Sequence, residues 1–300
     1  MDFARLRALR ELSNRQTMTA VAHVLCLTPS AVSQQLAQLE AEVGVPLTER
    51  RGRGVKLTHA GEVLVGHVER VLTVLDEAKS ELAQIRQEIA GTLRVAAFAT
   101  AAAALLPPVI QALGAAYPRL QVTLVEMEPA EGLAALGSWS TDIAIVDDLG
   151  GRPTRGGQTV KHVPLIDDEL HVILATGHRL ARKKTLGLAE LKDEEWALDS
   201  ASSVYGEFVL GLCRRAGYTP RVSAECLGSE IIAAMVSSGC AISIIPGLRL
   251  GQMRGSFAAV PLRPRIHRHI SAAFRQGERT HPAIRVFVEQ LLRTARSLKP

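Results

Sequence analysis

Thr28 and Pro29 mark the place in this chain where the fewest folds remain open. Threonine caps helix N-termini through its hydroxyl, and proline is tolerated at the first helical position because the N–H it lacks would have no intrahelical partner there. Ahead of the pair, Thr17 precedes Met18, Val21, Ala22 and Leu25 at helical spacing; behind it, Ala31, Val32, Leu36 and Leu39 repeat that spacing. The turn between them is only Cys26 and Leu27. An earlier stripe of Phe3, Leu6, Leu9 and Leu12 adds a first helix with a buried face, ending near Ser13 and Asn14.

The outward face of the helix after Thr28 carries Ser30, Ser33, Gln34, Gln35 and Gln38. Small and amide side chains allow close approach to a major groove, where Gln pairs bidentately with adenine and Ser adapts to several base edges. After Gly44, Pro46 and Leu47 open a short hairpin whose tip, Arg50, Arg51, Gly52, Arg53 and Gly54, is basic; Val55, Lys56 and Leu57 return from it. Such a wing is placed to meet phosphates. Charge agrees with this placement. Residues 1–60 hold 8 Lys or Arg against 5 Asp or Glu, and residues 260–300 hold 9 against 2, so the chain's net +5 sits at its ends. Aromatic residues are only 4%, too few for a platform that stacks single-stranded bases.

The run AVAHVLCLTPSAVSQQLAQLEAEVGVPLTERRGRGVKLTHAG resembles the winged helix-turn-helix of LysR-type transcriptional regulators, and the resemblance extends over essentially the whole chain. It implies double-stranded DNA as a partner, with Thr28, Pro29, Ser30, Ser33, Gln34 and Gln38 facing the duplex and Arg50, Arg53 and Lys56 meeting phosphates. Two positions depart from the family. Gln-Pro is common where Pro29 and Ser30 stand, and Arg or His where Gln34 stands, so the bases read differ. An aromatic residue usually follows Leu47, and Thr48 in its place predicts looser packing under the wing.

From Thr58 onward, Leu64, Val68, Val71, Leu75, Ala78, Leu82, Ile85 and Ile89 alternate steps of four and three, a heptad seam. A helix of about 30 residues is roughly 45 Å long, and one with an apolar stripe and an acidic outer face needs a partner. The expected partner is its own copy, through Leu64, Val68, Val71, Leu75, Leu82 and Ile85. The resemblance implies the same linker helix, building homodimers or homotetramers. The alternative is a long helix packed on its own C-terminal domain.

Gly91 breaks that helix. Strand patterns at 93–98, 121–126, 143–146, 163–166, 170–175 and 241–245 alternate with helical ones from Thr100, at 205–216 and at 229–237, which predicts an α/β fold with mainly parallel sheets. By resemblance this half is a two-subdomain α/β effector domain like a periplasmic binding protein. The expected division is a DNA-binding domain at 1–58, a linker helix at 59–90 and an effector domain at 91–300. Subdomain I would take about 91–162 and 265–300, and subdomain II about 163–264. The family's ligand cleft falls on Phe98, Thr100, Ala101, Ser202, Ser203 and Ser229. Hydroxyls beside helix N-termini suit a small carboxylate or other anion, and plain helix capping explains the same residues equally well.

Catalysis finds no motif. The chain lacks GxxxxGK[ST], HExxH, GxSxG and a GxGxxG following a strand, and His162, His171, His178, His267 and His269 show no partner set. Cys26, Cys213, Cys226 and Cys240 have no metal-ligand spacing, so neither cofactor nor metal is implied. Peroxide-sensing members of the family use two cysteines in the second subdomain. Cys213 falls near the second of these, but Val204 stands nine residues earlier, where the attacking thiol would be. No apolar run of the roughly 20 residues that cross a bilayer is expected, and Asp2, Arg5, Arg7 and Arg10 interrupt any signal-peptide pattern, so the reading is cytoplasmic without membrane contact. The expected function is a sequence-specific DNA-binding regulator, not an enzyme, modulated by a small-molecule effector. An effector-independent or thiol-based regulator is the alternative within the family, and a solute-binding module without DNA function is the alternative outside it.

Overall fold

Three N-terminal helices form around one small core in the computed structural model, which describes residues 1–51, 54–85, 89–150, 160–200 and 203–298. They are α1 (Phe3–Arg15), α2 (Met18–Leu25) and α3 (Pro29–Val43). Thr17 Oγ1 accepts from Ala20 N at 3.3 Å and Thr28 Oγ1 from Ala31 N at 3.2 Å, so both expected caps are made. Cys26 ends α2 in the left-handed region at φ 54°, which turns the chain sharply enough for α3 to cross it. Leu9, Leu12, Val21, Val32, Leu36 and Leu39 fill the space between. The wing is the antiparallel pair β1 (Thr48–Arg51) and β2 (Gly54–Leu57), with Glu49 opposite Lys56.

Thr58 Oγ1 accepts from Gly61 N at 3.1 Å to start α4 (His59–Ile85). A Cβ on Gly61 would lie 2.2 Å from the Leu47 carbonyl oxygen, so only glycine lets the helix start so close to the wing.

The C-terminal half is built on β3 (Gly91–Ala97), α5 (Ala99–Ala116), β4 (Leu120–Glu126), α6 (Pro129–Gly137), β5 (Ile143–Val146) and β6 (Val160–Ala175). It continues with β7 (Glu195–Asp199), α7 (Val204–Arg215), β8 (Arg221–Cys226), α8 (Ser229–Ser237), β9 (Ser243–Pro246) and α9 (Gly247–Leu250). β10 (Phe257–Pro261), β11 (His267–Arg275) and α10 (Pro282–Ser297) complete it. β3 pairs in parallel with β4 and β5, and β11 pairs antiparallel with β5 and with residues 160–169 of β6. Residues 170–175 of β6 pair instead with β9 and β10, both antiparallel. The segments 163–166 and 170–175, expected as two strands, are thus one strand shared by two subdomains, each with its own core. The expectation of mainly parallel sheets is corrected for the same reason. The chain crosses between subdomains within β6 and again just before β11, and those strands return against their neighbours' direction.

Residues 95–118 carry no charged side chain, a longer uncharged run than expected. Among the described residues, α5 alone has the length and hydropathy of a membrane span, and its Ala101, Leu105, Leu106, Val109 and Leu113 are buried in the first subdomain's core.

Candidate functional site

Thr28, Pro29, Ser30, Ser33, Gln34 and Gln38 are all exposed on one end and side of α3, while Val32, Leu36 and Leu39 point into the core. Arg50 and Lys56 are exposed on the wing beside them; Arg53 and Gly52 lie outside the described residues. The wing is tied down by a residue the sequence did not single out. One oxygen of Glu40, on α3, accepts from Leu47 N at 2.8 Å, Thr48 N at 2.8 Å and Thr48 Oγ1 at 3.0 Å. The looser wing expected from Thr48 is therefore corrected. Its hydroxyl replaces ring packing with a hydrogen bond to a charged acceptor, the stronger kind.

The linker helix carries two apolar stripes instead of one. Val65, Val68, Leu72, Asp76 and Ser80 are buried within the chain. Ser80 Oγ donates to Gly277 O at 3.1 Å and Gln84 Nε2 to Thr280 O at 3.0 Å, so the lower half of α4 lies on the turn that precedes α10. Val68, 3% exposed, is thus removed from the expected dimer seam: it already has a partner in its own subunit. Leu64 is half-buried against the N-terminal core. Val71, Leu75, Leu82 and Ile85 remain exposed, at 51%, 42%, 62% and 76%.

Between the two subdomains lies a cavity of about 260 Å³. Phe98, Thr100 and Ser203 line it. Ala101 does not. It faces the core of the first subdomain with no exposed surface, and Ser229 starts α8 away from the cavity lining. Ser202 lies outside the described residues. Ser203 Oγ accepts from Gly206 N at 2.9 Å, which makes it the cap of α7. Thr100 sits one residue inside α5, whose N-terminus has no side-chain cap.

The charges around the cavity were not anticipated. Glu126, Glu128, Asp147 and Asp199 line it, against Arg249 and Arg268. Arg249 Nη1 donates to Asp199 Oδ2 at 3.0 Å, and Arg268 Nε to Asp168 Oδ2 at 2.9 Å with its ring neighbour Phe98 5.0 Å away. Burial pushes the Asp147 carboxyl up despite Arg268, and burial followed by repulsion from Asp147 and other carboxylates raises Glu128. Arg268 joins β11 to β6 where the chain crosses between subdomains, a position visible only once the strands are paired.

With a three-helix head and wing, a long helix and a two-subdomain α/β body established, comparison with known proteins decides the family. Residues 3–62 match the description "Bacterial regulatory helix-turn-helix protein, lysR family", and residues 86–296 match "LysR substrate binding domain". The chain belongs to the LysR family. It is 27% identical over 291 residues to the transcriptional dual regulator GltC of Bacillus subtilis, covering 96% of each chain. To the DNA-binding transcriptional dual regulator OxyR of Escherichia coli it is 26% identical over 280 residues, covering 92% of this chain and 90% of that one. A full-length OxyR variant of Pseudomonas aeruginosa has the same fold, with a TM-score of 0.64 at 24% identity, covering 97% of this chain and 94% of that chain. LysR regulators act by binding DNA, and they are not enzymes.

In this LysR chain the DNA-binding head and the effector domain meet at a node around Trp139. Arg7 donates to the Ser138 carbonyl, and the Arg10 guanidinium lies 4.8 Å from the Trp139 ring centre. Trp139 Nε1 donates to Asp76 on the linker helix at 3.2 Å, and Arg275 Nε lies 3.3 Å from the same carboxylate. Arg275 also donates to the carbonyls of Leu136 and Thr141 and to Glu278. Trp139 holds φ 58°, a backbone region unfavourable to bulky side chains. One signal could have marked the node: Asp76 and Ser80 continue the stripe of Val65, Val68 and Leu72 with polar side chains. The four cysteines are free thiols, Cys213 and Cys226 buried, and burial raises the Cys213 thiol above its ordinary value.

Proposed function

We propose that this LysR regulator binds a specific double-stranded operator as a homodimer or homotetramer, and that a small-molecule effector in the cleft between its subdomains modulates that binding. The supporting observation is the cavity itself. It lies where two separately cored subdomains face each other across strand β6, so its volume depends on their relative orientation. An effector that fits one orientation better shifts the equilibrium between them. The N-termini of α5 and α7 face this cavity through Thr100 and Ser203, and the positive end of a helix suits a carboxylate on the effector. Exposed Val71, Leu75, Leu82 and Ile85 form the subunit seam, and the protein works in the cytoplasm beside its DNA. The test is calorimetry with the best hit of a thermal-shift metabolite screen, followed by footprinting with and without it. Thr100→Val and Ser203→Ala should lower effector affinity and leave effector-free operator binding nearly unchanged. A footprint that no cleft ligand alters would leave a regulator without an effector.

A further inference from the structure

We infer that the effector of this cleft carries a protonated amine, placed against Asp147 and Glu128. The inference rests on the cleft being the effector site, as proposed above, and concerns the chemistry of what enters it. Both guanidiniums that reach the cavity are already engaged. Arg249 holds Asp199, and Arg268 holds Asp168, buried with it, at 2.8 Å. A simple anion would have to compete with these pairs and would meet Glu126, Glu128 and Asp147 at the same time.

Asp147 is the sharpest indicator. Its side chain is 6% exposed, one oxygen accepts from Leu149 N at 3.2 Å, and the other has Arg268 Nη1 at 3.7 Å, beyond hydrogen-bond distance. That second oxygen has no donor at bonding distance among the described residues and opens on the cavity, where an N–H of a ligand can reach it. A bare metal ion does not fit that role. Among the described residues no group of three or more His, Cys, Asp or Glu side chains is arranged to hold one. Carboxylates spread along a cavity, with Phe98 and Tyr205 as apolar walls, suit an extended organic cation whose N–H groups donate to them. A carboxylate elsewhere on the same molecule would meet the N-termini of α5 and α7, which makes an amino-acid-like zwitterion the best-matched form.

The experiment screens the full-length chain by thermal shift against metabolites divided evenly among amines and amino acids, carboxylic acids without amines, and neutral compounds, with lysine, putrescine and glutarate as charge probes. Hits are then titrated by calorimetry on the wild type, Glu128→Gln, Asp147→Asn and Leu227→Trp. Glu128 is exposed at the cavity rim, so Glu128→Gln tests charge without disturbing the fold even if Asp147→Asn does. Leu227 lines the cavity and is 92% exposed, so Leu227→Trp blocks any cleft ligand whatever its charge. The expected result is an amine-bearing hit weakened about tenfold by each charge-removing variant, the loss of one charge-assisted hydrogen bond, and lost in Leu227→Trp. A carboxylic or neutral hit lost only in Leu227→Trp overturns the amine and leaves the cleft as the effector site. An amine hit untouched by all three variants overturns the placement, and a screen without hits in any class overturns both readings.

Discussion

Leu72 and Leu75 are neighbours on the linker helix that face opposite partners, and replacing each separates folding from assembly. Leu72 is 4% exposed, covered by its own subunit. Truncating a leucine so buried costs about 2–5 kcal/mol of chain stability, transfer and cavity contributions together. Leu75 retains 42% of its surface. Fully burying a leucine is worth about 1.5–3 kcal/mol, so covering the remaining part in an interface contributes roughly 1 kcal/mol, and a two-fold axis doubles this to roughly 2 kcal/mol. Leu75→Asp removes that contribution and places an unpaired charge in each half of the seam, which costs several kcal/mol more. The total, at least about 4 kcal/mol, corresponds to about a thousandfold weaker dimerisation at 1.4 kcal/mol per factor of ten.

Sedimentation across a concentration series measures assembly, and thermal melting at two protein concentrations measures folding, since stability linked to dimerisation rises with concentration. Leu72→Ala should melt earlier at both concentrations and sediment as the wild type does. Leu75→Asp should dissociate at low micromolar concentration and lose its dependence of melting on concentration. The reasoning fails if Leu75→Asp sediments unchanged, or if Leu72→Ala dissociates the protein with its melting intact.

Gln34→Ala should relax preference at one base position by about 1–3 kcal/mol, whereas Arg50→Ala should weaken cognate and random duplexes alike and flatten the salt dependence; equal loss on both duplexes for Gln34→Ala would remove it from base reading. Glu40→Ala leaves the three donors of Leu47 and Thr48 without their acceptor, a loss of about 2–4 kcal/mol at roughly 1 kcal/mol or slightly more for each hydrogen bond, and hydrogen exchange at Leu47 and Thr48 should accelerate. Asp142 is raised by burial but held below its ordinary range overall by Arg94, so its stabilisation is complete above the unfolded carboxyl pKa and disappears as pH falls through the lower folded value. Melting measured from pH 5 down to pH 2 should therefore fall less steeply in Asp142→Asn than in the wild type, and parallel profiles would deny Asp142 that role. Trp139→Ala should weaken the hold between the DNA-binding head and the effector domain, detected as faster proteolysis after α1 without a change in the far-ultraviolet spectrum.

Much of the DNA-binding head was legible because its determinants are local. Thr17 and Thr28 cap the helices that follow them, Pro29 fits only a first helical turn, and the spacing of Val32, Leu36 and Leu39 leaves the opposite face, with Ser33 and Gln34, exposed. Such rules act over three or four residues and need no knowledge of distant chain. The linker helix was half legible. Periodicity located its apolar positions, but Val68 and Val71 look alike in a heptad, and only the packing of α4 in the folded chain shows that one is covered within the subunit and the other is exposed. The cleft depended most on tertiary structure. Ala101 and Thr100 are adjacent in sequence yet one faces the core and the other the cavity, a choice made by the rotation of α5 against its sheet. Asp147, Asp168, Asp199, Arg249 and Arg268 come from five separate segments, and no spacing along the chain announces their meeting. Their balance of charge is a property of space, since Coulomb interactions depend on separations that the strand pairing of β6 with β11 and the closure of two subdomains create.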